Sequence, residues 1–263
     1  MLTCPVCRSG ELELVERLAD DRRTVRCTAC DHQWTRGEAK SQAALPASSA
    51  DLQARFPDRT AVDPARLERV EKLAAEAAPT DPGPDWSHYQ QVFSRDEITT
   101  CEPRDLKAFV NDTPGATNAT TASFNRAWAS MGEHEASART RNTIRYLLYG
   151  PETVPLPDRL TRLILGQGGL GMTGFKEPAL TRVLCAMSPD AYLPVSTYGA
   201  ARGGKREIAK RVYGLALPDV AKEQFTIGRL ALWSNDLLVD LAGDGFDDLT
   251  QAAAFLTTVK VPA

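Results

Sequence analysis

Two Cys-x-x-Cys pairs near the N-terminus constrain the fold of this chain more than any other feature. Cys4 and Cys7 form the first pair, Cys27 and Cys30 form the second, and nineteen residues separate the pairs. The turn between two cysteines at this spacing directs both sulfur atoms toward one point, where a single ion can bind. Two such pairs supply four thiolates, which is the tetrahedral ligand set of a structural zinc site. The sequence therefore predicts one structural Zn²⁺, with no open coordination position for a substrate.

Residues 1–36 around these cysteines are predicted to form a small β-sheet module, a zinc ribbon. Segment 12–18 alternates in part between apolar and polar residues, segment 24–27 returns toward it, and segment 32–34 gives a short third strand. A module of this size buries too little surface to fold unaided, so the metal is expected to supply its stability. His32 is an alternative ligand, but four cysteines already complete the site.

The sequence shows no sign of export or of membrane insertion. The N-terminus leads directly into Cys4, and no stretch reaches the roughly 18 consecutive apolar residues of a membrane span. Cysteines of a protein in a reducing compartment bind metal more often than they form disulfides. We therefore expect a cytoplasmic protein, in which Cys101 and Cys185 are ordinary thiols without a catalytic role.

The rest of the 263-residue chain is predicted to be mainly α-helical. Residues 37–61 combine Ser, Pro and Ala without any periodicity, which is typical of a linker. Residues 62–263 contain apolar residues at helical spacing and no alternation of strands with helices. The predicted fold is therefore mainly α: a small β zinc ribbon followed by a linker and a multi-helix globular domain.

Two glycine-rich segments partly match nucleotide-binding motifs. Residues 166–171 fit Gly-x-Gly-x-x-Gly, but that motif binds a dinucleotide only between a strand and a helix, and the residues before it have helical spacing. Residues 199–206 match a phosphate-binding loop up to Lys205, but Arg206 stands where Ser or Thr would bind magnesium. A nucleotide-dependent enzyme is a minor alternative, and no hydrolase or nuclease pattern supports catalysis elsewhere.

Charge is unevenly distributed along the chain, although the formal net charge is only −3. Between positions 139 and 211, twelve Lys and Arg residues accompany five Asp and Glu residues. On a predicted helix 204–214 and in segment 141–149, basic residues and a tyrosine recur three or four positions apart, on one face. Such faces contact phosphates and stack on bases, or else are merely solvated and internally paired. The predicted nucleic-acid contacts are Arg141, Arg145, Tyr149, Arg202, Lys205, Arg206, Lys210 and Tyr213.

A resemblance to a known group of proteins rests on four segments of the helical region, at 106–109, 174–181, 203–209 and 227–236. The sequence Gly-Phe-Lys-Glu-Pro-Ala-Leu-Thr at 174–181 is an example. Together the four segments resemble helical regions of actinobacterial proteins associated with McrB-type restriction systems, over roughly residues 62–260. In those systems a variable N-terminal part recognises DNA and a motor follows. The resemblance implies DNA recognition, and we expect the chain to be a stand-alone recognition part or its motor to be on a separate chain.

The sequence thus predicts a zinc-ribbon protein that binds DNA or RNA through a basic helical face. In this interpretation it is the recognition component of a restriction or defence-type system, without a motor or nuclease of its own. The alternative is a protein–protein adaptor, in which the ribbon serves as a docking module. No membrane partner is expected for either function.

Overall fold

The computed structural model describes residues 3–17, 23–36, 48–78, 83–169, 171–220 and 224–261. The chain divides into two compact units, Met1–Ser49 and Ala50–Ala263. The first contains a small antiparallel sheet and the second is helical, so the predicted mainly α fold with a small N-terminal β module is confirmed.

The first unit contains three strands in the order β1-β2-β3, all antiparallel: β1 Leu12–Arg17, β2 Arg23–Cys27 and β3 Gln33–Arg36. Val25 is at the centre of the sheet, opposite Leu14 on one side and Trp34 on the other. Val25, Cys4 and Cys27 are its buried apolar side chains among the described residues. So small a core leaves the stability of this sheet dependent on what the cysteines bind.

The described part of the second unit contains helices and short 3-10 turns but no strand. Its helices begin at or just before the boundary residue 50. They are α1 Ser49–Ala54, α2 Pro64–Ala75, α3 Ser87–Val92, α4 Pro103–Asp112, α5 Asn118–Met131, α6 Glu133–Tyr149, α7 Leu156–Leu165, α8 Glu177–Met187, α9 Lys205–Tyr213, α10 Ile227–Ala242 and α11 Leu249–Thr258.

Helix α10 lies at the centre of the helical unit and packs against α7 and α9. Leu230, Leu237 and Leu238 are buried on it, as its apolar periodicity requires. Gly228 permits the close contact with α7, because a Cβ at this position would collide with the carbonyl oxygen of Pro157. The backbone amide of Gly228 instead donates a hydrogen bond to Thr161 Oγ1 at 3.0 Å.

The predicted linker 37–61 is wrong over its second half. Residues 50–61 belong to the helical unit, where Leu52 and Phe56 are buried. The ring of Phe56 lies 5.6 Å from that of Trp233 and 6.4 Å from that of Phe225. Two isolated apolar residues among alanines and serines were too weak a periodic signal for a helix as short as α1. Positions 37–47 of the predicted linker lie outside the described residues.

None of the helices in the described ranges combines the length and the apolar composition that crossing a membrane requires.

Candidate metal centre and nucleic-acid interface

Both Cys-x-x-Cys pairs lie in tight loops with the same backbone hydrogen bonds. In each loop the amide of the first cysteine donates to the carbonyl five residues later, at 2.8 Å from Cys4 and 2.9 Å from Cys27. The carbonyl of that cysteine accepts from the amide four residues later, at 3.0 Å and 2.9 Å respectively. The residues after the second cysteines, Arg8 and Asp31, have φ angles of 63° and 62°. This left-handed conformation is uncommon for residues other than glycine. It reverses the chain so that both sulfurs of a pair face inward.

The four sulfur atoms of Cys4, Cys7, Cys27 and Cys30 all lie within 4.8 Å of one another. Cys4 Sγ is 3.7 Å from Cys30 Sγ, and Cys7 Sγ is 3.5 Å from Cys27 Sγ. Four thiolates at about 2.3 Å from a tetrahedral Zn²⁺ would be separated by about 3.8 Å. The predicted ligands therefore form one group that could hold a metal ion, at spacings that fit zinc.

The backbone of the first loop also favours a thiolate. Burial acts to raise the pKa of Cys4, but hydrogen bonds from the backbone of Cys7 and Val6 outweigh it and lower the pKa to about 7. The amide of Val6 lies 3.4 Å from Cys4 Sγ. Burial raises the pKa of Cys27, which lies deepest in the cluster. A divalent cation would displace the remaining protons, because metals bind cysteine as thiolate.

The first predicted basic stripe lies on α6, which packs against α4, α5, α7 and α8. Arg145 is exposed and has no partner among the described residues. Arg141 Nε donates to the carbonyl of Cys101 at 2.8 Å, so part of its guanidinium is occupied within the fold. The hydroxyl of Tyr149 donates to the carbonyl of Phe93 at 2.8 Å. The guanidinium of Arg95 covers the Tyr149 ring, with its carbon 4.9 Å from the ring centroid.

Arg145 and Tyr149 line an open groove of about 480 Å³ along α6. We call it the α6 groove; its other described lining residues are Arg139, Asn142, Tyr146, Gly150, Pro151, Gly169 and Gly171. No acidic residue is among those lining residues. Arg139 is paired with Glu135 at 2.6 Å, one helical turn away, so among the described lining residues Arg145 contributes the charge that has no ion-pair partner. Arg162 of α7 donates to Tyr146 Oη at 3.3 Å and brings a third guanidinium to this side of α6.

On α9 the structure contradicts the predicted surface role of Lys205 and Tyr213. Lys205 is 3% exposed, and its ammonium donates to the carbonyl of Ala231 at 2.9 Å. Burial lowers the pKa of Lys205 to about 8. Tyr213 is 1% exposed, and burial raises its pKa. Neither side chain reaches a phosphate on the surface, because both pack inside the helical unit.

Three further predicted contacts, Arg202, Arg206 and Lys210, are exposed. Arg206 is ion-paired with Asp219 and also donates to the carbonyl of Leu217 at 3.2 Å. The Asp219 carboxylate neutralises the charge of Arg206 locally. In the described ranges, the other two exposed residues, Arg202 and Lys210, have no partner. Helix α9 packs against α2, α10 and α11, whereas α6 has a different set of neighbours. A phosphate role for these three exposed side chains stays a prediction.

The two glycine-rich segments lie in helical surroundings. Helix α7 precedes residues 166–171, and Gly166, at φ 68°, ends it in the left-handed conformation. Residues 199–204 precede α9 without a strand, and Lys205 points into the core. The segment thus follows a helix, as the helical spacing before it predicts, and the strand of a dinucleotide site does not precede it. The match at 199–206 lacks both the strand and the accessible lysine of a phosphate-binding loop.

Sequence reasoning missed Arg139, Tyr146 and Arg162 as members of the basic surface. Arg139 and Tyr146 are seven residues apart on α6, a spacing that also places them on one face. That periodicity is the available signal, but neither residue belongs to the Arg-x3-Arg-x3-Tyr pattern of segment 141–149. Arg162 is on another helix, so its approach to Tyr146 depends on how α6 and α7 pack.

Comparison of the chain with protein families, with curated proteins and with solved structures found no match.

Proposed function

We propose that this chain is a zinc-binding protein that binds nucleic acid through the α6 groove. The observation that carries the proposal is the exposed Arg145, which has no partner among the described residues and lies beside Arg139 and Tyr146 in a groove whose described lining contains no carboxylate. An open groove of this composition suits an extended phosphodiester backbone better than a compact, enclosed ligand.

The chemistry of the groove matches what a nucleic-acid strand offers. Guanidinium groups form charge-assisted hydrogen bonds with phosphate oxygens, and their binding releases condensed counterions. The ring of Tyr146, beside these arginines, can stack on an unpaired base. Gly169 and Gly171 also line the groove, where the absence of side chains lets a strand approach the backbone closely.

The ribbon supports this proposal as a metal-stabilised module and adds no positive charge. Residues 1–36 contain six arginines and six acidic residues. A Zn²⁺ held by four thiolates adds a net charge of about −2, so the loaded ribbon is weakly acidic. None of the six cysteines forms a disulfide, which is compatible with the reducing compartment that we propose for the protein.

A role in a restriction or defence-type system extends this proposal and rests on the sequence resemblance alone. In such a system the α6 groove would hold the target DNA, and a separate chain would supply the motor or nuclease. The strand-binding proposal does not depend on this extension and can be tested with purified protein.

The test is fluorescence anisotropy with labelled single-stranded and duplex DNA and RNA, at ionic strengths from about 50 to 200 mM. The wild-type protein should bind at low salt and lose affinity steeply as salt rises. Arg145→Glu should weaken binding about tenfold or more and reduce the slope of log K against log salt by about one or two. The matched control is Lys72→Glu, an equal charge change at an exposed residue of α2.

Two results would contradict the proposal. One is no binding of any strand by the wild-type protein at the lowest salt. The other is an equal loss of affinity in Arg145→Glu and Lys72→Glu, because general charge and not the groove would then determine affinity.

A second function, protein docking, is favoured by a separate observation on the ribbon. Val6, Leu14 and Val15 are 64%, 47% and 48% exposed, and they are three of the five large apolar side chains that stand exposed in the described residues. A neutral-to-acidic module with exposed apolar residues suits a protein partner better than a phosphate backbone. In an adaptor, the partner would bind the metal-loaded ribbon, and Arg145→Glu would leave that binding intact.

A further inference from the structure

A second cavity in the helical unit, distinct from the α6 groove, contains a buried cation. It encloses about 280 Å³ between α8, α11, the loop after α8 and segments 84–86 and 114–115. Trp86 and Tyr192 supply aromatic walls, and four prolines stiffen the lining. Its volume is near the lower end of the range of about 300–1,000 Å³ for small-molecule pockets, and its lining is mostly apolar, as such pockets are.

Arg182 of α8 lines this cavity and is 3% exposed. Its Nη1 donates to Thr113 Oγ1 at 3.0 Å, and its Nη2 donates to the carbonyl of Val110 at 3.1 Å. These contacts cap the C-terminal end of α4, whose carbonyls carry partial negative charge. Arg182 therefore has a structural role, but that role uses only one edge of the guanidinium.

The other edge of the Arg182 guanidinium lacks a partner. Nε is buried and has no hydrogen-bond partner, and Arg182 forms no ion pair with any described residue. Gly115 lies against the side chain, with room for a Cβ 3.9 Å from Arg182 Cδ. A buried guanidinium without a counter-ion is unfavourable, and an unsatisfied buried N–H adds a further cost. Both would be relieved by an acceptor of negative charge that enters the cavity.

We propose that this cavity binds a small carboxylic acid with an apolar or aromatic body. The carboxylate would accept charge-assisted hydrogen bonds from the Arg182 guanidinium, and a shift of the surrounding side chains would let it reach Nε, which is closed to solvent without a ligand. The apolar body would pack against Trp86, Tyr192 and the prolines. The proposal is independent of strand binding in the α6 groove, because the two sites share no lining residue.

The test is calorimetric titration of the full chain with benzoate, phenylacetate and isovalerate, each beside its neutral amide. At least one acid should bind, and it should bind about tenfold or more tightly than its amide. Arg182→Gln should remove this preference for the acid. Ala254→Leu, at another half-buried lining position, should narrow the cavity and abolish binding of the acid.

The matched control is Ala77→Leu, the same substitution at an exposed position outside the cavity, and it should bind like wild type. If Arg182→Gln does not fold, the comparison of Ala254→Leu with Ala77→Leu still shows whether the acid binds in this cavity. No binding of any acid up to about 10 mM would overturn the proposal, as would equal affinity for acid and amide. Unchanged binding in Ala254→Leu would place the ligand elsewhere and would also overturn it.

Discussion

Lys205 should make the stability of the helical unit depend on pH in a way that identifies it as a core residue. Its ammonium is buried and has one neutral acceptor, the carbonyl of Ala231, at 2.9 Å. Burial lowers its pKa from the ordinary value of 10.5 to about 8. The unfolded chain therefore binds more protons than the folded chain between these two values, so the free energy of unfolding should rise with pH across that window.

The size of this effect follows from the two pKa values. Proton linkage predicts that the free energy of unfolding increases by about 1 kcal/mol between pH 7 and pH 9. The total increase from pH 7 reaches about 3 kcal/mol once the pH exceeds 10.5. Lys205→Met removes the titrating group and keeps most of the buried chain. The stability of wild type relative to Lys205→Met should therefore increase by about 1 kcal/mol from pH 7 to pH 9. Groups that do not interact with Lys205, such as Tyr213, cancel in this difference, whereas Glu177 and Asp236, whose pKa values the ammonium lowers, do not.

Urea denaturation at several pH values, followed by far-UV circular dichroism, measures the difference directly. Lys210→Met is the control: Lys210 is exposed on the same helix, so its difference from wild type should stay constant over this range. A constant difference for Lys205→Met as well would refute the reasoning, since the ammonium would then be solvated in the folded state. Lys205 would in that case again be available to a phosphate.

Two further predictions concern the metal centre and the core. Cys27→Ser should reduce bound zinc, measured by atomic absorption, from about one equivalent per chain to a small fraction, and should remove the amide NMR signals of β1–β3. The unfolding transition of the helical unit should persist in this variant, because that unit has its own core; its loss would show that the two units do not fold separately. Gly228→Ala should destabilise the helical unit by roughly 2–4 kcal/mol in urea, because its Cβ would overlap the Pro157 carbonyl. Gly199→Ala, where a Cβ meets nothing within 4 Å, is the control and should change stability by less than about 0.5 kcal/mol; equal effects would contradict the packing argument.

The metal cluster could be predicted from sequence because its geometry is local. The spacing within each Cys-x-x-Cys pair determines its loop, and the strands between the pairs bring the two loops together. The helices of the second unit were also predictable where apolar residues recur regularly, as on α10. Short helices such as α1 were missed because a single turn gives too few positions for a periodic pattern.

The basic surface could be predicted only in part, because its composition depends on packing between distant segments. Helical spacing located Arg145 and Tyr149 on α6 correctly, but the same spacing on α9 does not distinguish a buried Tyr213 from an exposed one. The pairing of Arg206 with Asp219 depends on the loop after α9. The burial of Lys205 depends on α10, more than twenty residues later in the chain.

The backbone contact at Gly228 has a consequence for how a strand would be received. Helices α7 and α10 approach closely there, with only the Thr161 hydroxyl at the contact, and α7 in turn packs on α6. Helix α6, which carries Arg145, is therefore connected through α7 to the largely buried α10. Since α6 is packed against four other helices, association would mainly restrict arginine rotamers and the incoming strand itself.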